Sequence, residues 1–236
     1  MNKLFDNNIS LDRSEHIYRL ASNPKIEFTS VTTFIDKFFE KFDAKSIAGK
    51  LSHSHPKYID KSVDDILQDW QNSADHGTKV HEEIENFIIN TAPITEKKSV
   101  FGLKWLKNYI SNGEFLIYPE VIIYSEKLKL SGTIDLLIKN ITTNKFIIMD
   151  WKTSKMINKK SFRNKKGTHP ASNTIDDSKF NHYALQLSLY RYLLEKYYGL
   201  EIVGHAILHL KDTECIKIDT PYMQNDLLNM INTIQQ

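Results

Sequence analysis

Hydrophobic positions recur at helical spacing through the first part of the chain and alternate with polar positions further along. A small β-hairpin is predicted over residues 16–20 and 25–28, where a turn-like segment separates two short apolar runs. Ser62 and Asp65 match a capping box, and the helix that they begin is expected to break near Gly77. The predicted helices of this part cover residues 30–39, 43–53, 63–89 and 96–110.

Three β-rich runs separated by short polar turns follow these helices. They predict strands over residues 115–124, 128–138 and 145–150. The remainder predicts a long helix, two strands and a last helix, over residues 178–197, 202–210, 215–218 and 223–234. This order predicts an α/β (α+β) fold in which helices flank a mixed central β-sheet. We expect a single domain over residues 1–236, with the N-terminal hairpin and helices in 1–112 and the sheet with its flanking helices in 113–236.

Charge and cysteine content narrow the class of protein. Thirty-one Lys and Arg against 29 Asp and Glu leave a net charge of +2, which excludes a uniformly basic nucleic-acid coat. The single cysteine, Cys215, excludes a disulfide framework, a four-cysteine zinc site and a cysteine-ligated iron–sulfur cluster. No apolar stretch approaches the roughly 20 residues that span a bilayer, and residues 1–10 lack a signal or transit pattern. We therefore expect a soluble, intracellular protein without a membrane partner.

A buried-looking strand ends in charge at Asp150 and Lys152. Because strand side chains alternate, these two residues share one face and Trp151 points to the other. If the preceding hairpin turns at residues 142–143, Asp135 lies directly opposite Asp150. Opposed carboxylates destabilise a sheet unless a positive group lies between them, so a divalent cation, Mg²⁺ or Mn²⁺, is the economical interpretation. The alternative is that Asp150 and Lys152 only end an edge strand in solvent.

Further polar side chains are candidates for the same site. His81 and Glu85 share one face of a predicted helix, and His81 could supply a nitrogen ligand or be an ordinary structural histidine. Glu120 precedes an apolar run, where it could reach the site or mark the exposed start of a strand. Gln186 and Tyr190 share a face of the long helix, where a surface amide and a half-buried aromatic residue would look the same.

Taken together, these motifs resemble the PD-(D/E)XK nuclease superfamily in its RecB-type branch. Five motifs agree in order and spacing: Gly77…His81…Glu85, Glu120, Gly132-x-x-Asp135, Asp150-Trp151-Lys152-Thr153 and Gln186…Tyr190. Within that branch the chain is most similar to the mitochondrial genome maintenance exonuclease group, by residues 28–32 and residues 150–154. The resemblance implies a restriction-endonuclease-like core.

The resemblance also implies a metal-dependent DNA nuclease, most similar to exonucleases that hydrolyse phosphodiester bonds in single-stranded or end-exposed DNA. The implied ligands of Mg²⁺ or Mn²⁺ are His81, Asp135, Asp150 and the backbone carbonyl of Trp151. The implied catalytic residues are Asp135, Asp150, Lys152, Glu120, Gln186 and Tyr190. Ser30 and Thr32, at a predicted helix N-terminus, would bind a DNA phosphate.

A basic segment without acidic residues follows the Asp150–Lys152 strand. Its cations are Lys155, Lys159, Lys160, Arg163, Lys165 and Lys166. Because they adjoin the predicted metal site, we expect them to bind the DNA backbone. The alternative is a solvated, mobile tether.

DNA with single-stranded regions or free ends is the expected partner, and replication, recombination or repair proteins are further candidates. We expect a monomer. We also expect that it uses no ATP, because the chain has no G-x-x-x-x-G-K-[ST] loop. Without a transit pattern, a phage, viral or bacterial setting is expected rather than a mitochondrial one. Two rival functions stay open: a structure- or branch-specific endonuclease on the same fold, and a catalytically silent nucleic-acid-binding protein.

Overall fold

The computed structural model describes residues 3–111 and 113–234 of the chain. Its strands are β1 Ile9–Asp12, β2 Ile17–Leu20, β3 Thr29–Ser30, β4 Phe115–Ser125, β5 Leu130–Asn140, β6 Phe146–Lys152, β7 Ile202–Leu210 and β8 Cys215–Asp219. Its α-helices are α1 Val31–Asp36, α2 Ala44–Ser54, α3 Val63–Asn90, α4 Lys97–Tyr109, α5 Lys179–Tyr198 and α6 Gln224–Asn232. None of the helices within the described ranges is long and apolar enough to cross a membrane.

Strand β5 of the larger sheet pairs with three other strands, one on its first edge and two on its second. β4 pairs antiparallel with β5 along one whole edge. The other edge pairs first with β3, in parallel at Leu130 and Ser131, and then with β6, antiparallel from Leu136. β7 continues the sheet parallel to β6, and β8 pairs antiparallel with β7. The predicted mixed sheet is therefore confirmed.

Helices cover both faces of this sheet, as the sequence predicts. On one face α5 packs with α1 and α6, and Leu189 and Leu227 are buried there. On the other face α3 and α4 pack on the strands through Ile84, Leu106 and Trp151. Each fully buried side chain of the Leu or Ile size contributes about 1.5–3 kcal/mol. The two apolar layers fix the strands that carry the polar residues of the candidate site.

Local sequence explains where the N-terminal helices begin. The Ser30 hydroxyl oxygen accepts the Thr33 backbone N–H at the start of α1, and the capping box of Ser62 and Asp65 at the start of α3 is confirmed. The predicted break near Gly77 is wrong, because α3 continues through it. One glycine costs a helix only about 1 kcal/mol, and the packing of α3 against α4 and β4 outweighs that.

The predicted hairpin over residues 16–20 and 25–28 is wrong in its pairing. The second of these ranges forms no strand, and β2 pairs instead with β1. Ile9 and Tyr18 bury together against Tyr124 of β4. Tertiary packing on the larger sheet therefore decides which strand pairs with β2, and the turn signal between the two runs does not.

Candidate active site

A change of partner along β5 opens a gap beside the centre of the sheet. On the edge that β3 and β6 share, pairing with β3 ends at Ser131 and pairing with β6 begins at Leu136. Residues 132–135 lie between the two pairings. The gap leaves room for side chains and a bound group around Asp135, where the sequence predicts a metal site.

Three carboxylates lie side by side across three neighbouring strands. β5 and β6 pair Leu136 with Met149, so the predicted register is confirmed and its next step places Asp135 across from Asp150. On the other edge of β5, the pairs that flank Glu120 place this residue across from Asp135. Like charges at such positions destabilise a sheet unless a cation or protons offset them. The row Glu120–Asp135–Asp150 therefore suits a bound cation.

His81 of α3 reaches this row from outside the sheet. Its Nδ1 lies 3.3 Å from Oδ2 of Asp135. One ligand atom from each of His81, Glu120 and Asp135 lies within 4.8 Å of the other two. One imidazole nitrogen with carboxylate oxygens fits a divalent cation such as Mn²⁺ or Mg²⁺. Oδ2 of Asp135 also accepts the backbone N–H of Trp151 at 2.9 Å, which fixes this carboxylate.

Glu120 has a backbone conformation that is uncommon for a residue with a side chain. Its φ is +49°, in the left-handed region, within the otherwise extended β4. Residues held in such conformations cost about 1–3 kcal/mol and cluster at functional sites. Burial, together with the charges of Asp135 and Glu85, raises the pKa of Glu120 to about 8, against the opposing charge of Arg13. A cation at the site would replace the proton that Glu120 otherwise keeps.

Asp150 and Lys152 form a buried ion pair at the end of β6. Nζ of Lys152 lies 2.5 Å from Oδ2 of Asp150, which is only 2% exposed. Nε2 of Gln186 donates to Oδ1 of Asp150 at 3.1 Å and to the Tyr190 hydroxyl at 3.2 Å. Burial and the charge of Asp135 raise the pKa of Asp150 to about 6, and Lys152 opposes this. Burial favours a lower pKa for Lys152, but Asp150 and Asp135 raise it above its ordinary value.

Two glycines allow close approaches at the site. A side chain at Gly132 would lie 2.6 Å from the ring of Tyr190, which covers this point of β5. A side chain at Gly77 would lie 2.9 Å from Oγ1 of Thr153, where α3 passes the segment after β6. The glycines of the sequence motifs are therefore explained by packing of the elements of the candidate site against one another.

The β1–β2 hairpin closes one end of the site with residues that sequence reasoning missed. Arg13 donates to both carboxylate oxygens of Glu85, at 2.8 and 2.9 Å. The Tyr18 hydroxyl lies 3.0 Å from Oγ1 of Thr133 on β5. The hairpin thereby bridges the helix of His81 and the strand of Asp135. No sequence motif marks Arg13 or Tyr18, because their partners are distant in the chain.

A cleft of about 510 Å³ is lined by His81 and by two residues of the carboxylate row, Glu120 and Asp135. Ser30 and Thr32 line it together with Gln186 and Tyr190. The Ser30 hydroxyl is engaged locally: it caps α1 and lies 3.1 Å from Oγ1 of Thr32. The structure thus brings Ser30 and Thr32 to the same cleft as the predicted catalytic residues Glu120, Asp135, Gln186 and Tyr190, whereas Lys152 lines a neighbouring groove.

The cations of the basic segment after β6 have three kinds of surroundings. Lys155 and Lys160 line a groove that Lys152 also lines. Lys165 is ion-paired with Glu40, and Lys166 with Asp176 at 2.5 Å. The remaining cations stand beside rings, Lys159 at 5.0 Å from the centre of Phe180 and Arg163 at 5.1 Å from that of Phe162. The sequence treats these cations as one group, whereas their partners in the fold separate them.

The chain matches a family of known proteins over most of its length. A crystal structure described as that of SSO0001 is 13% identical over 88% of this chain and 74% of that chain, with a TM-score of 0.39. Among curated proteins there is no significant match. The family model of the PD-(D/E)XK nuclease superfamily matches residues 15–226, which include every residue of the carboxylate row. The chain therefore belongs to the PD-(D/E)XK nuclease superfamily, and this membership implies a metal-dependent nuclease.

Proposed function

We propose that the chain is an Mg²⁺- or Mn²⁺-dependent exonuclease that hydrolyses phosphodiester bonds in single-stranded or end-exposed DNA. The observation that carries this proposal is the row Glu120–Asp135–Asp150, with His81 and Lys152 beside it, in a superfamily member. A row of acidic groups next to a phosphate polyanion is unfavourable by itself. Bound divalent cations reverse that repulsion, and the superfamily uses them for this chemistry.

Each residue of the site has a proposed role. When bound, the cation would lower the pKa of a bound water and offset negative charge on the scissile phosphate. The proposed ligands are His81, Glu120, Asp135, Asp150 and the Trp151 carbonyl, with Glu120 added by its place in the row. Lys152 would orient the attacking water and stabilise charge in the transition state. Gln186 holds Asp150 and Tyr190 in place.

The size of the cleft supports an unpaired strand as substrate. A volume of about 510 Å³ lies within the range of pockets that enclose one small molecule. Such a cleft suits one or two nucleotide units and is small for a duplex. The β1–β2 hairpin at one end of the cleft favours a strand terminus over a continuous strand. We therefore favour exonuclease action over a structure- or branch-specific endonuclease.

The finer family placement is also a proposal. We place the chain in the RecB-type branch, near the mitochondrial genome maintenance exonuclease group, on the order and spacing of its five motifs. We propose that it acts as one nuclease domain and a monomer in DNA repair, recombination or replication. The lone Cys215 is consistent with a reducing, intracellular setting in a bacterium or a virus-infected host.

The test is degradation of end-labelled linear single- and double-stranded DNA beside circular single-stranded DNA, with Mg²⁺, Mn²⁺ or EDTA. We expect stepwise loss of linear single strands with either metal and none with EDTA, while the circle stays intact. The variant D150A is the inactive control. Cutting of the circle would favour the endonuclease, and binding without hydrolysis in any metal would favour the catalytically silent protein.

A further inference from the structure

A second groove, of about 1200 Å³, continues from the cleft on the side of Lys152. The linings of both cavities include Ser73, Ala74, His81 and Thr153, so the two meet at the candidate metal site. One wall of the groove is formed by the loop before α3 and the first half of α3. The opposite wall is the segment after β6 with the start of α5. A strand that enters the cleft therefore has a path along this groove.

The groove concentrates positive charge that the chain as a whole lacks. Both walls contribute lysines besides Lys152, whose charge is paired with Asp150: Lys57, Lys98, Lys155, Lys160 and Lys179. The acidic residues of the same lining are already paired, Asp69 with Lys61 at 2.5 Å and Asp177 with His182 at 2.8 Å. With a net charge of only +2 over the chain, this excess is local. It fits a polyanion that lies along the groove.

Two aromatic side chains, Tyr58 from the loop before α3 and Trp70 from α3, lie together on the first wall of the groove. Nζ of Lys57 donates to the Tyr58 hydroxyl at 3.0 Å and lies 4.5 Å from the centre of its ring. Hydrogen bonds from Lys57 and Trp70 lower the pKa of Tyr58, and the charge of Lys155 on the opposite wall lowers it further. Phe42 packs against Trp70 with ring centres 5.7 Å apart. The two half-buried rings are therefore held in place before any ligand binds.

The opposite wall presents large side chains to solvent. Phe162 is 74% exposed and Met156 is 65% exposed, so little of either surface packs on the protein. The guanidinium of Arg163 lies 5.1 Å from the centre of the Phe162 ring. Aromatic faces interleaved with cations are the arrangement that binds single strands, because bases stack on the rings while the cations contact phosphates.

We propose that Tyr58, Trp70 and Phe162 form a stacking subsite for unpaired nucleobases beside the catalytic cleft. The proposal rests on the proposed function, in that it places the strand leading to Lys152 in this groove. Lys57, Lys155 and Lys160 contact its phosphates from the two walls. Bases in a duplex are stacked on each other and turn no free face to the rings, so the subsite selects a single strand. The subsite should bind strands of any base sequence, because every base has a face that can stack on an aromatic ring.

Binding to two oligonucleotides of equal length and charge tests the subsite: an oligothymidylate and its abasic counterpart. Fluorescence anisotropy in EDTA measures both affinities without cleavage. The unchanged protein should bind the oligothymidylate about 5- to 100-fold more tightly. W70A and Y58A should lose most of this preference while keeping their affinity for the abasic strand, and W70F should keep most of the preference. The matched control is F87A, because Phe87 is an exposed aromatic residue of α3, the helix of Trp70, and lies outside the groove. This variant should behave like the unchanged protein.

Two results would overturn the subsite. Equal affinity of the unchanged protein for both strands would show that bases are not recognised. Equal losses on both strands in W70A would show that Trp70 only supports the packing of Phe42 and Tyr58. Hydrolysis of bis(4-nitrophenyl) phosphate by the unchanged protein with Mn²⁺ reports the proposed function separately, because this diester has no nucleobase. Its absence would count against the nuclease, whereas the binding comparison would still decide the subsite.

Discussion

The site joins two regions that are positioned in different ways. Glu120, Asp135 and Asp150 lie on paired strands, so the backbone register of three neighbouring strands sets their spacing. His81 and the basic segment after β6 come from a helix and a loop, which are positioned by side-chain contacts. In the proposed function the sheet would therefore set where a cation binds, whereas the helix and loop would adjust how tightly the cation and the DNA strand are held. Changes in the two regions should therefore have different consequences.

The largest effect is expected from the strand-borne residues. D135A, D150A and K152A should each lower the rate of phosphodiester hydrolysis by more than about 100-fold, beyond the range for residues that only support metal ligands. Rates at saturating metal and DNA measure this, and circular dichroism checks that each variant folds. D219A, an exposed acid on β8, is the matched control and should keep full activity. Full activity in any of the three variants would remove that residue from the proposed site.

A smaller effect is expected from the helix-borne ligand. H81A should weaken the apparent affinity for Mg²⁺ or Mn²⁺ by about 10-fold or more, because one ligand of the set is lost while the carboxylate row stays. Excess Mn²⁺ should restore much of the rate, which it cannot do for D150A. Activity measured across a metal titration checks both expectations. An unchanged metal dependence in H81A would mean that this histidine is only structural.

The carboxylate row should also make stability depend on pH. The pKa of Glu120 is raised from 4.5 to about 8, so the folded protein holds this proton more tightly than the unfolded chain does. Its contribution is fully present below about pH 4.5 and is lost as pH rises towards 8, by at most about 1.4 kcal/mol per pH unit. In denaturant unfolding without metal, the free energy of unfolding should therefore fall between pH 6 and pH 8. In E120Q it should fall less over the same range. Identical slopes in both proteins would refute this.

The smallest effects should separate the groove-lining lysines of the basic segment from its ion-paired lysines. K155S/K160S should weaken DNA binding and flatten the salt dependence, because single-strand binding loses a slope of about 0.7 per phosphate contact removed. K165S/K166S is the matched pair, and it should change the slope little because both lysines are ion-paired with acids of the protein. Anisotropy across a salt series with Ca²⁺ or EDTA measures both. Equal slopes for the two double variants would show that the segment acts as one tether.

The sequence predicts the parts of the site that depend on strand alternation. The facing positions of Asp135 and Asp150 follow from one hairpin turn, and the buried Trp151 follows from the opposite side-chain direction. The place of Glu120 in the row depends on the register of a second hairpin and on an unusual φ. No local sequence pattern predicts either of them. The role of Arg13 could not be predicted for a related reason, because its partner Glu85 lies 72 residues away in the sequence.

The pairing of the N-terminal hairpin and the division of the basic segment share one cause. β2 pairs with β1 because Ile9 and Tyr18 pack on Tyr124, which lies far along the chain. Lys165 does not line the groove, because it pairs with Glu40, which is near it in space but not in sequence. Local propensity therefore explains most helix and strand positions, while partner choice depends on contacts that form only in the folded chain.

In the proposed site, His81, Glu120 and Asp135 hold a divalent cation beside the Asp150–Lys152 pair. A crystal structure with Mn²⁺, with its anomalous scattering recorded, tests this directly. We expect one strong peak within coordination distance, about 2.0–2.2 Å, of a nitrogen of His81 and of oxygens from Glu120 and Asp135. A well-ordered peak elsewhere, or none at saturating Mn²⁺ with these three side chains in place, would contradict it.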